Sequence, residues 1–213
     1  MGQAGSPVCN RRSLPWIEIY ARKQHRALVL STGLHKVLLS YGRHPLSRHC
    51  ERETVLSDYP PNQVEGNIMN VGPYEANRLI ALVRAFHGES GHAVSGDQVE
   101  AIRQLCVDST LGRAWMLAVG DRDVGYALAY YRHSIDHGGR IAVLDDLWVT
   151  VNRRGHGLGA RLLEAVCEDL RALGARVVLL EVDPANKVAI SLYSRFGFAH
   201  TGTAFYVKGL VTF

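Results

Sequence analysis

Three glycines, Gly155, Gly157 and Gly159, fall within five residues of the stretch RRGHGLGARLL (Arg153–Leu163), between an apolar run and a run of helical period. Each glycine loses more backbone entropy on folding than any other residue, so such a cluster marks a place where bare backbone is needed. Successive backbone N–H groups entering a helix N-terminus offer donors and a favourable dipole to a phosphate or diphosphate. Anion binding is the chemistry this spacing suggests. A nucleotide P-loop would need Lys and then Ser or Thr after its last glycine, but Ala160 and Arg161 stand there. The dinucleotide pattern G-x-G-x-x-A is met by Gly155, Gly157 and Ala160, with Glu181 at the end of the next strand-like run, where a ribose-binding acid would sit. Yet five residues separate Val149 from Gly155, where that fingerprint should follow its strand directly, and only 58 residues follow Gly155. Neither nucleotide fold fits.

The elements that must position this loop are legible on both sides of it. IAVLDDLWVTV before it reads as a strand; after it, Leu158, Leu162, Val166, Leu170 and Leu173 form one helical stripe stopped by Gly174. Upstream, a short strand ends near Val71, and Pro73 opens a helix with Leu79, Leu82, Val83 and Phe86 on its inner face. Ser95 and Gln98 form a capping box for a second helix carrying Val99, Ile102 and Cys106 inward. AWMLAVGDRDVGYALAYY reads as a hairpin turning on Gly-Asp-Arg-Asp. Downstream, RVVLLEVD is a buried strand, NKVAISLYSR a short helix, and TAFYVKGLVTF a closing strand. The order β-α-α-β-β-β-α-β-α-β specifies an α/β fold with a mixed twisted sheet.

The chain has 213 residues, 47% apolar and 21% charged, with no internal repeat and no apolar run of the length needed to cross a bilayer. It shows no secretory signal pattern, so a cytoplasmic location is expected. Cys9, Cys50, Cys106 and Cys167 are scattered without metal-ligand spacing, which predicts reduced thiols and no metal site. The net charge of +4 lies wholly in residues 1–68, with nine Lys/Arg against five Asp/Glu; the remainder holds fifteen of each. A neutral core argues against a nucleic-acid-binding domain. We expect residues 1–66 to be a basic, weakly structured extension and residues 67–213 to be the functional domain. The extension reads as a disordered tail, a targeting segment, or sequence upstream of a true start at Met69; a chain beginning at Met69 is expected to fold and act like the whole.

Three motifs carry a resemblance to a known family. LDDLWV resembles the strand before a cofactor loop, Arg154, Gly157 and Gly159 form R-x-x-G-x-G, and NKVAISLYSRFGF resembles the box N-x-x-A-x-x-L-Y-x-x-x-G-F. Together, in this order over Met69–Phe213, they resemble the N-acetyltransferase superfamily known as GNAT. The resemblance implies a sheet of six to seven strands with helices on both faces and acetyl-CoA as co-substrate. It implies transfer of an acetyl group to a primary amine of a small molecule or peptide by direct attack in a ternary complex.

The diphosphate of coenzyme A is assigned to the amides of Arg154, Gly155, His156, Gly157, Leu158, Gly159 and Ala160. Arg153 or Arg154 would add a charged contact, and His156 serves as a spacer. The pantetheine arm would pair with the backbone of Leu147, Trp148 and Val149 as a pseudo-strand, and Asn186 would contact the arm or cap its helix. An N–H of that same strand would hold the oxyanion. Tyr193 stands at the family's tyrosine position, where its hydroxyl would protonate the departing thiolate. Asp145 and Asp146 resemble the acid pair of diamine acetyltransferases; Asp145 is the first candidate for base or water-positioner, with Asp146 behind it. Tyr126, Tyr130, Tyr131 and Trp148 are candidates to line an acceptor pocket. The alternatives are a non-catalytic acyl-CoA-binding sensor and, among enzymes, a protein N-terminal acetyltransferase. A homodimer is the expected assembly, with no membrane partner.

Overall fold

The computed structural model describes residues 65–202 and Lys208. These residues belong to two compact units that divide between Glu181 and Val182.

In the unit ending at Glu181, the strands are β1 (Asn67–Asn70), β2 (Gly112–Val119), β3 (Arg122–Ser134), β4 (Gly139–Val149) and β5 (Val178–Leu180). They lie side by side in chain order, antiparallel from β1 to β4 and parallel between β4 and β5. The helices are α1 (Ala76–Glu89) and α2 (Gly96–Val107), which precede β2, and α3 (Leu158–Ala172), which joins β4 to β5. The mixed α/β sheet expected from the sequence is present, with five strands among the described residues. The closing strand expected over 203–213 lies outside them, Lys208 apart, as do the expectations for residues 1–64.

Strand alternation sends side chains to two cores. Ala114 and Met116 of β2, with Tyr126 and Leu128 of β3, pack against Leu79, Ile80 and Val83 of α1 and Ile102, Leu105 and Cys106 of α2. The odd-numbered neighbours Arg113 and Trp115 point the other way and both bond Asp169 of α3, at 2.9 Å from Arg113 Nη1 and 2.9 Å from Trp115 Nε1. Leu162, Leu163, Val166 and Leu170 of α3 are fully buried, so helices cover both faces of the sheet. The capping box on α2 forms as expected, with the Gln98 N–H donating to Ser95 Oγ at 3.2 Å and the Ser95 N–H to Gln98 Oε1 at 2.8 Å. The hairpin is tighter than the four-residue reading: Val119 pairs with Arg122, leaving Gly120 and Asp121 as the turn, with Gly120 at φ +58°.

The first strand begins two residues earlier than a start at Met69 allows. Asn67 and Ile68 pair with Ala118 and Leu117, and Arg161 Nη2 of α3 donates to the Gly66 carbonyl at 3.1 Å. Beginning the chain at Met69 would halve β1.

In the second unit the described element is α4 (Lys187–Arg195). Asn186 caps it, its Oδ1 accepting from the Ala189 N–H at 3.1 Å, and the helix ends in a turn at Gly197 with φ +79°.

Candidate active site

The site of interest begins where β4 departs from a regular ladder. Leu128 of β3 pairs with Asp146 and its neighbour Ala129 with Leu144, so Asp145 is an extra residue, a β-bulge. Adjacent strand residues ordinarily face opposite sides of a sheet. Here the negative charges of both Asp145 and Asp146 act on Tyr126 and Tyr130, two residues that share a sheet face. Asp146 lies opposite Leu128, and Asp145 stands two residues on from Val143, which lies opposite Tyr130, so the bulge puts both carboxylates on the side covered by α1 and α2. Asp145 is exposed and Asp146 half-buried. The Tyr126 hydroxyl donates to Asp146 Oδ2 at 3.0 Å. Burial first, then the charge of Asp146, drives the Tyr126 hydroxyl far above the ordinary phenol range. Burial and then Asp145 push Tyr130 up to about 12. Both hydroxyls thus stay protonated at neutral pH, and that of Tyr126 is a donor to Asp146.

Beyond the bulge the β4–β5 ladder stops. It covers Ala142, Val143 and Leu144, and among the described residues no strand pairs with β4 on that side from Asp145 to Val149. The Thr150 N–H donates to the Val124 carbonyl on β3 at 2.8 Å, so by alternation the backbone of Trp148 faces β3 while Leu147 and Val149 face the open side. Of the three residues expected to carry a pseudo-strand, Leu147 and Val149 present their polar backbone groups outward.

The chain then passes a single 3₁₀ turn (Val151–Arg153) into the glycine loop. Gly155 and Gly157 have φ of +80° and +77°, a left-handed conformation that penalises any side chain, whereas Gly159 lies within α3 in ordinary helical backbone. Gly157 is the N-cap of α3 and has no side chain to satisfy the helix's first donors. The Arg154 N–H turns back to Val151 (3.2 Å), and Ala160 and Arg161 both donate to the Gly157 carbonyl (3.1 Å each). Among the described residues, no backbone carbonyl takes the amides of Gly155, His156, Gly157, Leu158 or Gly159. Of the seven amides expected to form a cradle over Arg154–Ala160, those of Arg154 and Ala160 are thus engaged within the backbone.

Two arginine and aromatic expectations change. The Arg154 guanidinium is engaged within the protein: Nη2 pairs with Glu89 at 2.7 and 3.0 Å, and Nε donates to the Val149 carbonyl at 2.7 Å. Of the two arginines expected to supply charge to a diphosphate, Arg153 is half-buried and makes no ion pair among the described residues. His156 is held by a 2.8 Å contact between Nδ1 and the Arg154 carbonyl. The Tyr126 and Trp148 side chains do not line an open pocket; they are core, packed with Phe86 at centroid distances of 6.4 Å each. Tyr131 lies on the opposite face beneath the Arg140 guanidinium, 4.9 Å from its ring. Tyr130, half-buried, is the member of that group that feels both acids and keeps some exposure to solvent.

The remaining predicted residues lie in the second unit. Asn186 performs the capping role, and Tyr193 sits on α4, half-buried, its ring 5.7 Å from that of Phe198.

Nothing in the spacing of the sequence singles out Glu89, which the structure places at the centre of the loop's anchorage. One signal was available. Glu89 is the last residue of α1, where the helix dipole disfavours a carboxylate, so an acid there invites the question of what cation or donor holds it. No group of three or more potential metal ligands occurs among the described residues.

Comparison with known proteins agrees with this architecture. Residues 77–198 match the family model described as Acetyltransferase (GNAT) family. The chain is 30% identical over 105 residues to an L-methionine sulfoximine/L-methionine sulfone acetyltransferase of Pseudomonas aeruginosa, covering 48% of this chain and 61% of that protein. It is 35% identical over 74 residues to a thialysine N-epsilon-acetyltransferase of Bos taurus, covering 35% and 43%. The chain thus spans about three fifths of the first of these relatives and under half of the second. Among solved structures, the integron cassette protein HFX_CASS3 from the mobile metagenome of Cole Harbour Salt Marsh is similar at a TM-score of 0.61 and 31% identity, covering 68% of this chain and 90% of that one.

Proposed function

Since the chain belongs to the acetyltransferase (GNAT) family, we propose that it transfers an acetyl group from acetyl-CoA to the primary amine of a small molecule. The observation that carries this reading is the continuity of the open edge of β4, at Leu147 and Val149, with the five available amides from Gly155 to Gly159. An extended, amide-bearing arm ending in a diphosphate fits that sequence of groups: backbone pairing for the arm, helix-terminal donors for the charge. Acetyl-CoA supplies the thioester carbonyl that the amine attacks. The chain's own residues do the rest. An outward N–H of Leu147 or Val149 bonds the carbonyl oxygen as negative charge builds on it. Asp145, exposed on the bulge, takes the ammonium proton directly or through a water. Asp146, held by Tyr126, adds negative charge that favours a cationic acceptor. By the family resemblance, Tyr193 gives its hydroxyl proton to the sulfur as the C–S bond breaks and is reprotonated, through solvent, by the proton that the attacking nitrogen sheds as the amide forms.

The similarity to a methionine sulfoximine/methionine sulfone acetyltransferase and to a thialysine N-epsilon-acetyltransferase supports a small amine as the acceptor. The functional domain is taken as residues 67–213. The test is acetyl-CoA-dependent thiol release with a panel of amines: amino-acid analogues such as methionine sulfoximine and thialysine, diamines, and peptides with free N-termini. Turnover with one of the small amines and none with the peptides is expected. Turnover with the peptides alone would replace this reading by protein N-terminal acetylation, and coenzyme A binding without turnover by an acyl-CoA sensor.

A further inference from the structure

Glu89 ends α1, yet its carboxylate joins that helix to the end of β4 and to the glycine loop, 59 and 65 residues further along the chain. Its Oε1 accepts from Trp148 Nε1 on β4 at 3.0 Å, and both of its oxygens accept from Arg154 Nη2 in the glycine loop. Arg154 in turn spends its Nε on the Val149 carbonyl. The only outward carbonyl of β4 next to the loop is thereby covered, and the loop's first residue is fixed against the strand's last. A guanidinium left to itself would turn to water or to whatever anion came near, because its stem has many rotamers. Glu89 removes that freedom. It also offsets the local positive charge, so the loop's hold on an anion rests on backbone amides whose positions the clamp determines.

We propose that Glu89 is a positioning residue for the cofactor site: it holds Arg154 on the Val149 carbonyl and so sets the distance between the open edge of β4 and the amides of Gly155–Gly159. This rests on the reading of that edge and loop as the acetyl-CoA site. A mispositioned loop would weaken the diphosphate contact and leave the acids on the bulge untouched, so the effect belongs on cofactor affinity, not on turnover.

The experiment measures coenzyme A affinity of the full chain by calorimetry, with steady-state constants for acetyl-CoA and the acceptor. Glu89→Gln keeps an acceptor for Trp148 but loses the charge; a fivefold or greater weakening of coenzyme A is expected, with kcat within about twofold and the acceptor KM unchanged. Arg154→Gln should weaken binding about as much, and the double variant no more than the worse single one, since the two groups act as one unit. Arg154→Lys retains a cation for Glu89 but lacks the fork that also reaches Val149, and should restore only part of the affinity. Asp123→Asn breaks the Arg78–Asp123 pair near the other end of α1, at 2.7 Å, and serves as control for general loosening; its coenzyme A affinity should match wild type. A merely structural role would lower the melting temperature and the folded fraction without changing the affinity of the molecules that remain folded. Unchanged or tighter coenzyme A binding in Glu89→Gln, or additive losses in the double variant, would overturn the proposal while wild-type binding persists. Wild-type protein that did not bind coenzyme A at all would overturn the reading of the loop, and this inference with it.

Discussion

At φ +77°, Gly157 holds a backbone conformation that a β-branched residue adopts only with strain, and it stands between the loop and the first turn of α3. Gly157→Val should cost about 1–2 kcal/mol in stability from the left-handed backbone alone and lose coenzyme A binding by more than tenfold, because its methyls enter the space the anion needs. Thermal denaturation and calorimetry on the same sample separate the two effects; a folded variant that bound coenzyme A as wild type does would show that the loop is not the diphosphate site. Tyr193→Phe asks a different question. If the hydroxyl gives a proton only as the thiolate departs, kcat falls while coenzyme A affinity holds. Equal kcat in the two proteins would leave Tyr193 as a packing partner of Phe198. The glycines were legible in sequence because the need they answer is local: three bare residues before an amphipathic run. Glu89 was far less so, since its partners Trp148 and Arg154 lie 59 and 65 residues away and only its place at the end of α1 hints at them.

An element can be read from one segment, but an irregularity of pairing needs two. The strand Gly139–Val149 and the helix after it follow from hydrophobic period, as do α1 and α2 from Leu79, Leu82, Val83 and from Ile102 and Cys106. The bulge at Asp145 does not, because it is a mismatch of count between β3 and β4, and nothing in LDDLWV alone says which residue is surplus. The same blindness misplaced the aromatics. Tyr126 and Trp148 read as pocket candidates because a strand residue's face is known only once its neighbours are, and both proved to lie in the core with Phe86. The bulge itself is testable. Deleting Asp145 should let Leu144 and Asp146 sit regularly opposite Ala129 and Leu128, with every other side chain keeping its face. We expect native circular dichroism and retained coenzyme A binding, with turnover lowered by roughly 10²-fold or more through loss of the proposed base. A deletion variant that turned over normally would exclude Asp145 from the proton transfer.

At the scale of the molecule, the charge pattern points to a boundary near Met69, since residues beyond it are balanced and those before it carry the whole excess. Charge is a poor guide to the last few residues of an edge strand, and here the packing moves the boundary outward. Gly66 lies so close to β2 that a Cβ there would come within 2.7 Å of Leu117 Cδ1, its carbonyl takes Arg161 of α3, and Asn67 and Ile68 complete the ladder with β2. We therefore expect a chain beginning at Glu65 to match the full chain in melting temperature and coenzyme A affinity. One beginning at Met69 loses two of the four strand residues and the Arg161 contact, about 1–2 kcal/mol, which corresponds to a fall of roughly 3–6 °C. Because Arg161 follows directly on the loop and the first turn of α3, its release should also weaken coenzyme A binding severalfold. Differential scanning calorimetry and coenzyme A titration of the three proteins decide the matter. If the chain from Met69 equalled the longer ones in both, β1 and Gly66 would be dispensable and the boundary drawn from charge would stand; if the chain from Glu65 were itself unstable, residues 1–64 would be a necessary part of the folding unit.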